Sequence, residues 1–324
     1  MQISLLQRLH GEQMMNVWKA AIGTAIGIGI STGAFAAPVG YSLGNNGRTV
    51  VTMPDLANTT SLSGASIKNG VTLNALAYRP TTTQLYGYSN VNNTVYLVNP
   101  MNGDVSPVAS TVDGTNVAEV GFDFNNQIDA ARIVSTAEDN LVFFPNNSPP
   151  NIARFTNLFY GAGDVNAGQN PSIFANAYTN AVPNASSTQQ FVLDGEWDVL
   201  ATLANNAGTL TTVGEVISGG SPLDFTNTGG LDILSFAEGD NTAYALLTTV
   251  TGTGLYGIDL VADTNGKVNA NLIGMVGTNF GVLDGLAVAP DPVDTSAVPV
   301  PPSVLLMGGA IAGMAILRRR QKQA

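Results

Sequence analysis

Asp194, Glu196 and Asp198 stand within a five-residue window in the stretch DGEWDVL. A carboxylate pair, one acid and one base or nucleophile, is the hydrolytic apparatus that a protein without histidine can bring to a glycoside. The same stretch also reads as a hairpin, because Asp194-Gly195 is a tight-turn signal between two apolar runs and Trp197 would pack against it. The turn reading is favoured, so no catalytic residue is assigned. A second stretch, DVNAGQN, sets Asp164, Asn166 and Asn170 at alternating positions, as oxygen ligands recur in calcium loops. No acidic residue closes it as an EF-hand requires, so a polar loop of Asx turns competes with weak calcium binding.

Cations are scarce enough to weigh singly. Between residues 37 and 297 six of them (Arg48, Lys68, Arg79, Arg132, Arg154, Lys267) face 22 acids, a net charge of −16. Such a surface repels nucleic acid and anionic lipid. Arg79, Asp123 and Arg132 are the candidate binding residues, the arginines for an anionic or sugar group at an axial opening. Pairing with a neighbour such as Asp123 or Asp129 competes with that role and is favoured. Tyr78, Tyr86, Tyr88 and Tyr96 suggest either sugar stacking or packing between sheets, the latter being commoner.

Elimination narrows the chemistry further. The chain has no cysteine, and its single histidine, His10, lies in the N-terminal leader. Disulfides, thiolate metal sites, a Ser-His-Asp triad and histidine-ligated zinc or iron are excluded from the mature protein.

Both ends of the chain read as addresses. Arg8 and Lys19 precede the apolar stretch AAIGTAIGIGISTG, and Ala34 and Ala36 supply the small residues at which a signal peptidase cuts, giving a signal peptide over 1–36. Fourteen helical residues span about 21 Å, short of a hydrocarbon core of about 30 Å. At the other end a Pro-rich linker and motif (291–302) precede an uncharged hydrophobic helix (303–317) and a basic tail (318–324). The arginines would stay cytoplasmic and leave the acidic domain outside.

The elements that must position the candidate residues lie between these ends, over 37–290. A short apolar run ended by turn residues recurs five times: NALAYRP, EVGFDFN, FANAYTN, LDILSFAEG and LDGLAVAP. Anchored on Leu76, Phe122, Ala177, Leu234 and Leu286, the spacings are 46, 55, 57 and 52 residues, the period of a multi-strand unit. After Leu76 and again after Leu234 a tyrosine follows at an offset of ten, then a second tyrosine, an Asn-Gly turn and a further strand. The pattern predicts an all-β chain, a β-propeller of about five four-stranded antiparallel blades. In the second repeat, GFDFN, AARIVST, NLVFFP and ARFTNLFYG supply the four strands. The fifth anchor has no room for three more strands, whereas VGYSLGNN, RTVVTMP and TTSLSGA near the N-terminus have no anchor; together they complete one blade and close the ring.

Two resemblances extend this reading. LAYRPTTTQLYGYSNVNNTVYLVNPMNGDVSPV, GFDFNNQIDAARIVS and YGAGDVNAGQNPSIFANAYTN resemble the secreted bacterial proteins grouped as domain of unknown function 4394. That likeness implies the fold and no activity. VPVPPSVLLMGGAIAGMAILRRR is similar to VPLPA-type relatives of the PEP-CTERM sorting signals of Gram-negative bacteria, with Val298, Pro299, Val300, Pro301 and Pro302 as the motif. It implies processing by an exosortase-type membrane protease, a transient anchor, and a place at the cell surface or outside it. The expectation is an exported, non-catalytic binding or scaffold propeller of the envelope or exopolysaccharide matrix, without nucleic acid and with no cofactor beyond weak calcium. The alternative is a carboxylate-dependent glycosidase or polysaccharide lyase.

Overall fold

The computed structural model describes residues 37–115 and 119–293. The signal-peptide cleavage residues Ala34 and Ala36, the sorting motif 298–302, the hydrophobic helix and the basic tail lie outside the described residues. Among the described residues no helix is long and apolar enough to cross a membrane.

Among the described residues, twenty-two strands form the domain. The first blade consists of β1 (Val39–Gly44), β2 (Thr49–Met53), β3 (Ser63–Ser66) and β22 (Asp284–Ala289), in the order β22-β1-β2-β3. Blade two is β4 (Ala75–Arg79), β5 (Gln84–Ser89), β6 (Thr94–Val98) and β7 (Val105–Ser110). Blade three is β8 (Val120–Asn125), β9 (Ala130–Ser135), β10 (Asn140–Phe144) and β11 (Asn151–Arg154). After the two-residue β12 (Phe159–Tyr160), blade four comprises β13 (Ile173–Tyr178), β14 (Gln190–Asp194), β15 (Val199–Leu203) and β16 (Thr209–Ser218). A short β17 (Ser221–Pro222) precedes blade five, β18 (Gly229–Leu234), β19 (Thr242–Thr249), β20 (Gly252–Ile258) and β21 (Lys267–Met275).

The five anchors fall on β4, β8, β13, β18 and β22, the terminal strand of each blade. Each of these packs on its two neighbours, β22 on β4 and β18 included, so they form a closed inner ring. Closure is made by β22 pairing antiparallel with β1, Val39 opposite Ala289 and Tyr41 opposite Ala287. The Tyr41 hydroxyl accepts the Val293 N–H at 3.1 Å and fastens the segment that leaves the ring.

Alternation along the strands sends successive side chains into the two spaces flanking each blade. The buried apolar residues accordingly divide into five clusters, one per interface: around Leu76 and Tyr78 between blades one and two, Phe122 and Phe143 between two and three, Leu158 and Ile173 between three and four, Phe174 and Ile233 between four and five, and Leu234 and Leu286 between five and one. All four candidate stacking tyrosines are buried here. Tyr86, for example, meets Phe124 edge-on at 5.4 Å across the interface. Their role is inter-blade packing.

Two features depart from the sequence expectation. The fourth strand of blade three is only Asn151–Arg154, and the following FTNLFY leaves the blade so that β12 pairs parallel with β16. In addition, β16 and β21 pair parallel through Glu215, Val216 and Ile217 against Lys267, Val268 and Asn269, joining the outer edges of blades four and five. An outer strand with free N–H and C=O groups seeks a partner, and here each satisfies the other.

Candidate functional site

The inner strands meet with their N-terminal halves at one end of the axis, and they meet closely. A Cβ on Gly230 would lie 2.4 Å from Leu286 N, and one on Gly121 would lie 2.7 Å from Asn176 Oδ1 and 2.8 Å from the Ala175 Cα. Glycine is required there by the approach of neighbouring backbones. What remains of the channel is a cavity of about 10 Å³ whose lining includes Ala75, Gly121, Asn176, Gly230, Gly285 and Leu286. Asn176 is 1% exposed, and among the described residues neither atom of its amide has a hydrogen-bond partner.

At the strand-start mouth of this cavity two carboxyl groups meet. Glu119 precedes β8 and Asp284 opens β22, and the charge of Glu119 bears on the Asp284 carboxyl. Asp284 Oδ1 also accepts the N–H groups of Gly229 and Gly285, both at 3.1 Å. Burial, and then the charge of Glu119, push the Asp284 carboxyl up to about 8. Deeper in the ring, Asp232 accepts Ile233 N–H at 2.7 Å and Val288 N–H at 2.5 Å, and burial pushes it up to about 7. Asp123 accepts Tyr178 N–H at 2.7 Å and is likewise held well above the usual carboxylate range, by burial and then by Asp232. Both of these carboxyls stitch one inner strand to the next.

The strand-end side is built differently. Arg79, the last residue of β4, grips Asp129 with two parallel bonds of 2.8 and 2.5 Å, adds Asn146 Oδ1 at 2.8 Å, and lies 5.7 Å from the Phe124 ring centre. Burial opposes its charge, but the bonds to Asp129 and Tyr86 outweigh that and raise its pKa, while burial of Asp129 is outweighed by Arg79 and Asn146. Arg132 donates to Asn140 Oδ1 at 2.6 Å and Asn206 Oδ1 at 2.9 Å, with Tyr178 Oη at 3.4 Å. Both arginines are buried, and both are engaged by the protein's own groups. The structure thus separates the three candidate binding residues: Arg79 is clamped to Asp129, Arg132 is held by amides, and Asp123 is held by backbone.

Two of the DGEWDVL carboxylates, Asp194 and Asp198, are also in use. Asp194 is fully buried and accepts Tyr160 O–H at 2.7 Å, Ser172 N–H at 3.1 Å, and the turn N–H groups of Glu196 and Trp197 at 2.9 and 3.3 Å. Asp198 caps Phe225 N–H at 3.0 Å, and burial raises its carboxyl. Asp194 organises the turn that its sequence signals.

The Asp164 loop lies beside an open groove of about 650 Å³ on the joined edge of blades four and five. Gly161–Asn166 form one wall and Thr211–Glu215 the other, with Val199 and Gly266 beside them. Asp164 ties the walls together: Oδ2 accepts Thr212 N–H at 2.6 Å, and Oδ1 accepts Thr212 O–H at 2.8 Å and Asn166 N–H at 2.9 Å. Although its burial opposes this, those bonds hold its carboxyl below the usual range. Asn166 reaches Thr212 Oγ1 at 3.2 Å, whereas Asn170 offers its carbonyl to Trp197 Nε1 at 3.2 Å. Lys267 is paired with Glu215, at the groove's edge.

Residues 50–287 match the domain of unknown function DUF4394. The chain belongs to that family. No curated protein matches it. Among solved structures it is similar to an auxiliary nutrient binding protein from Bacteroides ovatus, with 12% identity, a TM-score of 0.41, and coverage of 63% of this chain and 55% of that one. A nidogen/laminin complex matches with 11% identity, a TM-score of 0.46, and coverage of 78% and 98%. The gluconolactonase XC5397 of Xanthomonas campestris matches with 12% identity, a TM-score of 0.41, and coverage of 78% and 80%. The chain therefore spans little more than half the length of the B. ovatus protein.

The sequence reading passed over Glu119, Asn176, Asp232 and Asp284. An acid within two residues ahead of an inner-strand glycine, in EVG and LDG, is the signal that marks the mouth pair.

Proposed function

We propose that this protein is an exported, surface-sorted binding or scaffold propeller of the cell envelope or exopolysaccharide matrix, and that it acts without catalysis. The observation that carries this reading is the groove between the Asp164 loop and β16. Its volume of about 650 Å³ suits a short oligomeric ligand. It offers threonine hydroxyls, the Asn166 amide and glycine backbone, while its charged groups Asp164 and Glu215 are already bonded within the protein. A wall of dipoles with little free charge favours a neutral, hydroxyl-rich chain such as a polysaccharide. The paired carboxyls at the axis suit the rival glycosidase poorly. Asp284 is held by two backbone N–H groups, whereas the two carboxyls of a glycosidase must both face the substrate.

The surface location rests on the N-terminal leader and on the motif Val298 to Pro302, which a signal peptidase and an exosortase-type protease would process. Screening the purified protein against a polysaccharide array, with chromatography of the eluate for cleaved products, tests the functional reading. Retention without products is expected, and Asn166→Ala should weaken it. Release of shortened glycans would establish the rival.

A further inference from the structure

We propose that the strand-start end of the boundary between blades five and one is a self-association surface, on which the Val250 hairpin tip of one copy enters the cleft of a second copy and receives that copy's tip in return. This inference is independent of the groove beside Asp164.

The surface is a recess with a protrusion on its rim. The tip of the β19–β20 hairpin and the segment from Val276 to Leu283 enclose a cleft of about 380 Å³, whose lining includes Thr248, Thr249, Val250, Val276, Val282 and Leu283. Val250 stands at that tip and is 99% exposed, and Val282 is exposed on the facing wall. Apolar surface continues around the tip. A Cβ on Gly252 would lie 3.4 Å from Met275 Cε, and one on Gly254 would lie 2.9 Å from Leu272 Cδ1, both of these side chains being exposed. Aliphatic surface left in water is unfavourable, and a contiguous patch of it marks a contact site.

Blade two shows the same place closed. Its β5–β6 hairpin also carries an exposed valine, Val91, at the tip. In both blades the residue after the outer strand bonds back to the hairpin: Thr111 N–H to Asn93 O at 3.1 Å, and Val276 N–H to Thr253 O at 2.9 Å. In blade two the onward chain then folds against the hairpin so tightly that a Cβ on Gly114 would lie 1.9 Å from Asn93 Cγ, and Asp113 pairs there with Arg154. In blade five the onward chain stands off and leaves the cleft.

Charge selects the occupant. Residues 241–258 and 268–283 hold no Asp, Glu, Lys or Arg, and neither does the blade-one loop 56–62, whose Thr59 carbonyl accepts the Gly277 N–H at 3.4 Å. Asp284, which follows the cleft residue Leu283, gives its Oδ1 to the Gly229 and Gly285 N–H groups. Two copies of a domain with a net charge of −16 repel through their acidic faces, so an uncharged face is where they can approach. A basic partner would be drawn to the acidic faces instead. A twofold contact places the same patch on both copies, so the patch must contain its own complement. The Val250 tip beside a valine-lined recess is such a complement.

The test uses the full-length protein in a mild nonionic detergent, which masks the apolar segment 303–317, and exploits the absence of cysteine. Analytical ultracentrifugation should show a monomer–dimer equilibrium. Val250→Asp and Val282→Asp, which place a charge at exposed positions, should each weaken dimerisation at least about tenfold. Val91→Asp, at the matching tip of blade two, should leave it unchanged. Oxidation of a mixture of Val250→Cys and Val282→Cys chains should give the heterodisulfide, whereas a mixture of Val250→Cys and Val91→Cys chains should not. A monomer at every concentration, a dimer that survives both aspartate variants, or heterodisulfides formed equally in the two mixtures would each overturn the assignment.

Discussion

The two ends of the propeller axis are made from the same five strands, yet they treat charge in opposite ways. At the strand-end side Arg79 is answered by Asp129 and Asn146, and Arg132, on the second strand of blade three, is answered by Asn140 and Asn206. At the strand-start side the Asp284 carboxyl meets two backbone N–H groups with the charge of Glu119 beside it, and Asn176 has no partner among the described residues. A self-satisfied network stabilises and specifies a fold, whereas an unsatisfied one marks a place where a further partner acts. The contrast separates residues that hold the ring together from residues free to do something more.

Removing β22 should abolish both ends at once. A chain truncated before Leu283 leaves β1 with an open edge and three of the four strands of its blade, so it should aggregate on size-exclusion chromatography. A monomeric product with unchanged melting would refute closure by this strand.

The closure was legible in the sequence because a proline-bearing linker begins at Pro290, just past the Leu286 anchor, while three N-terminal strands lack an anchor. Inner strands are short apolar runs with turn signals at their ends, and such runs are visible locally. The join between β16 and β21 was not legible, since parallel pairing of residues some fifty positions apart leaves no periodic trace. The site at the mouth was hidden for the same reason. Glu119 and Asp284 belong to different blades, and only the curvature of the ring brings them together. Arg79 and Asp129 illustrate the opposite case, because scarcity of cations among many acids already suggested pairing.

Within the intact ring, Arg79→Ala should have the largest effect. It leaves Asp129 without its bidentate partner in a partly buried site, and urea unfolding should show a loss of roughly 3 kcal/mol. Gly230→Ala perturbs the opposite end through the backbone of Leu286 and Gly285, and the same measurement should give about 1–3 kcal/mol. Lys68→Ala, which breaks an exposed pair with Asp104, should leave the unfolding midpoint unchanged.

The pH dependence of stability probes the central contrast most directly. Asp284 and Asp232 are raised to about 8 and about 7 in the fold, against roughly 3.9 when unfolded. A raised carboxyl favours its protonated form in the native state, so its contribution is full below about pH 4 and disappears as pH climbs through the folded values. Melting temperatures of the full-length protein and of Asp284→Asn, recorded in EDTA from pH 4 to 9, should therefore diverge. The wild-type curve falls between pH 4 and 8, and the variant falls less and lies above it at pH 8. Parallel curves would show that the strand-start carboxyls carry no uncompensated charge, and would contradict the account.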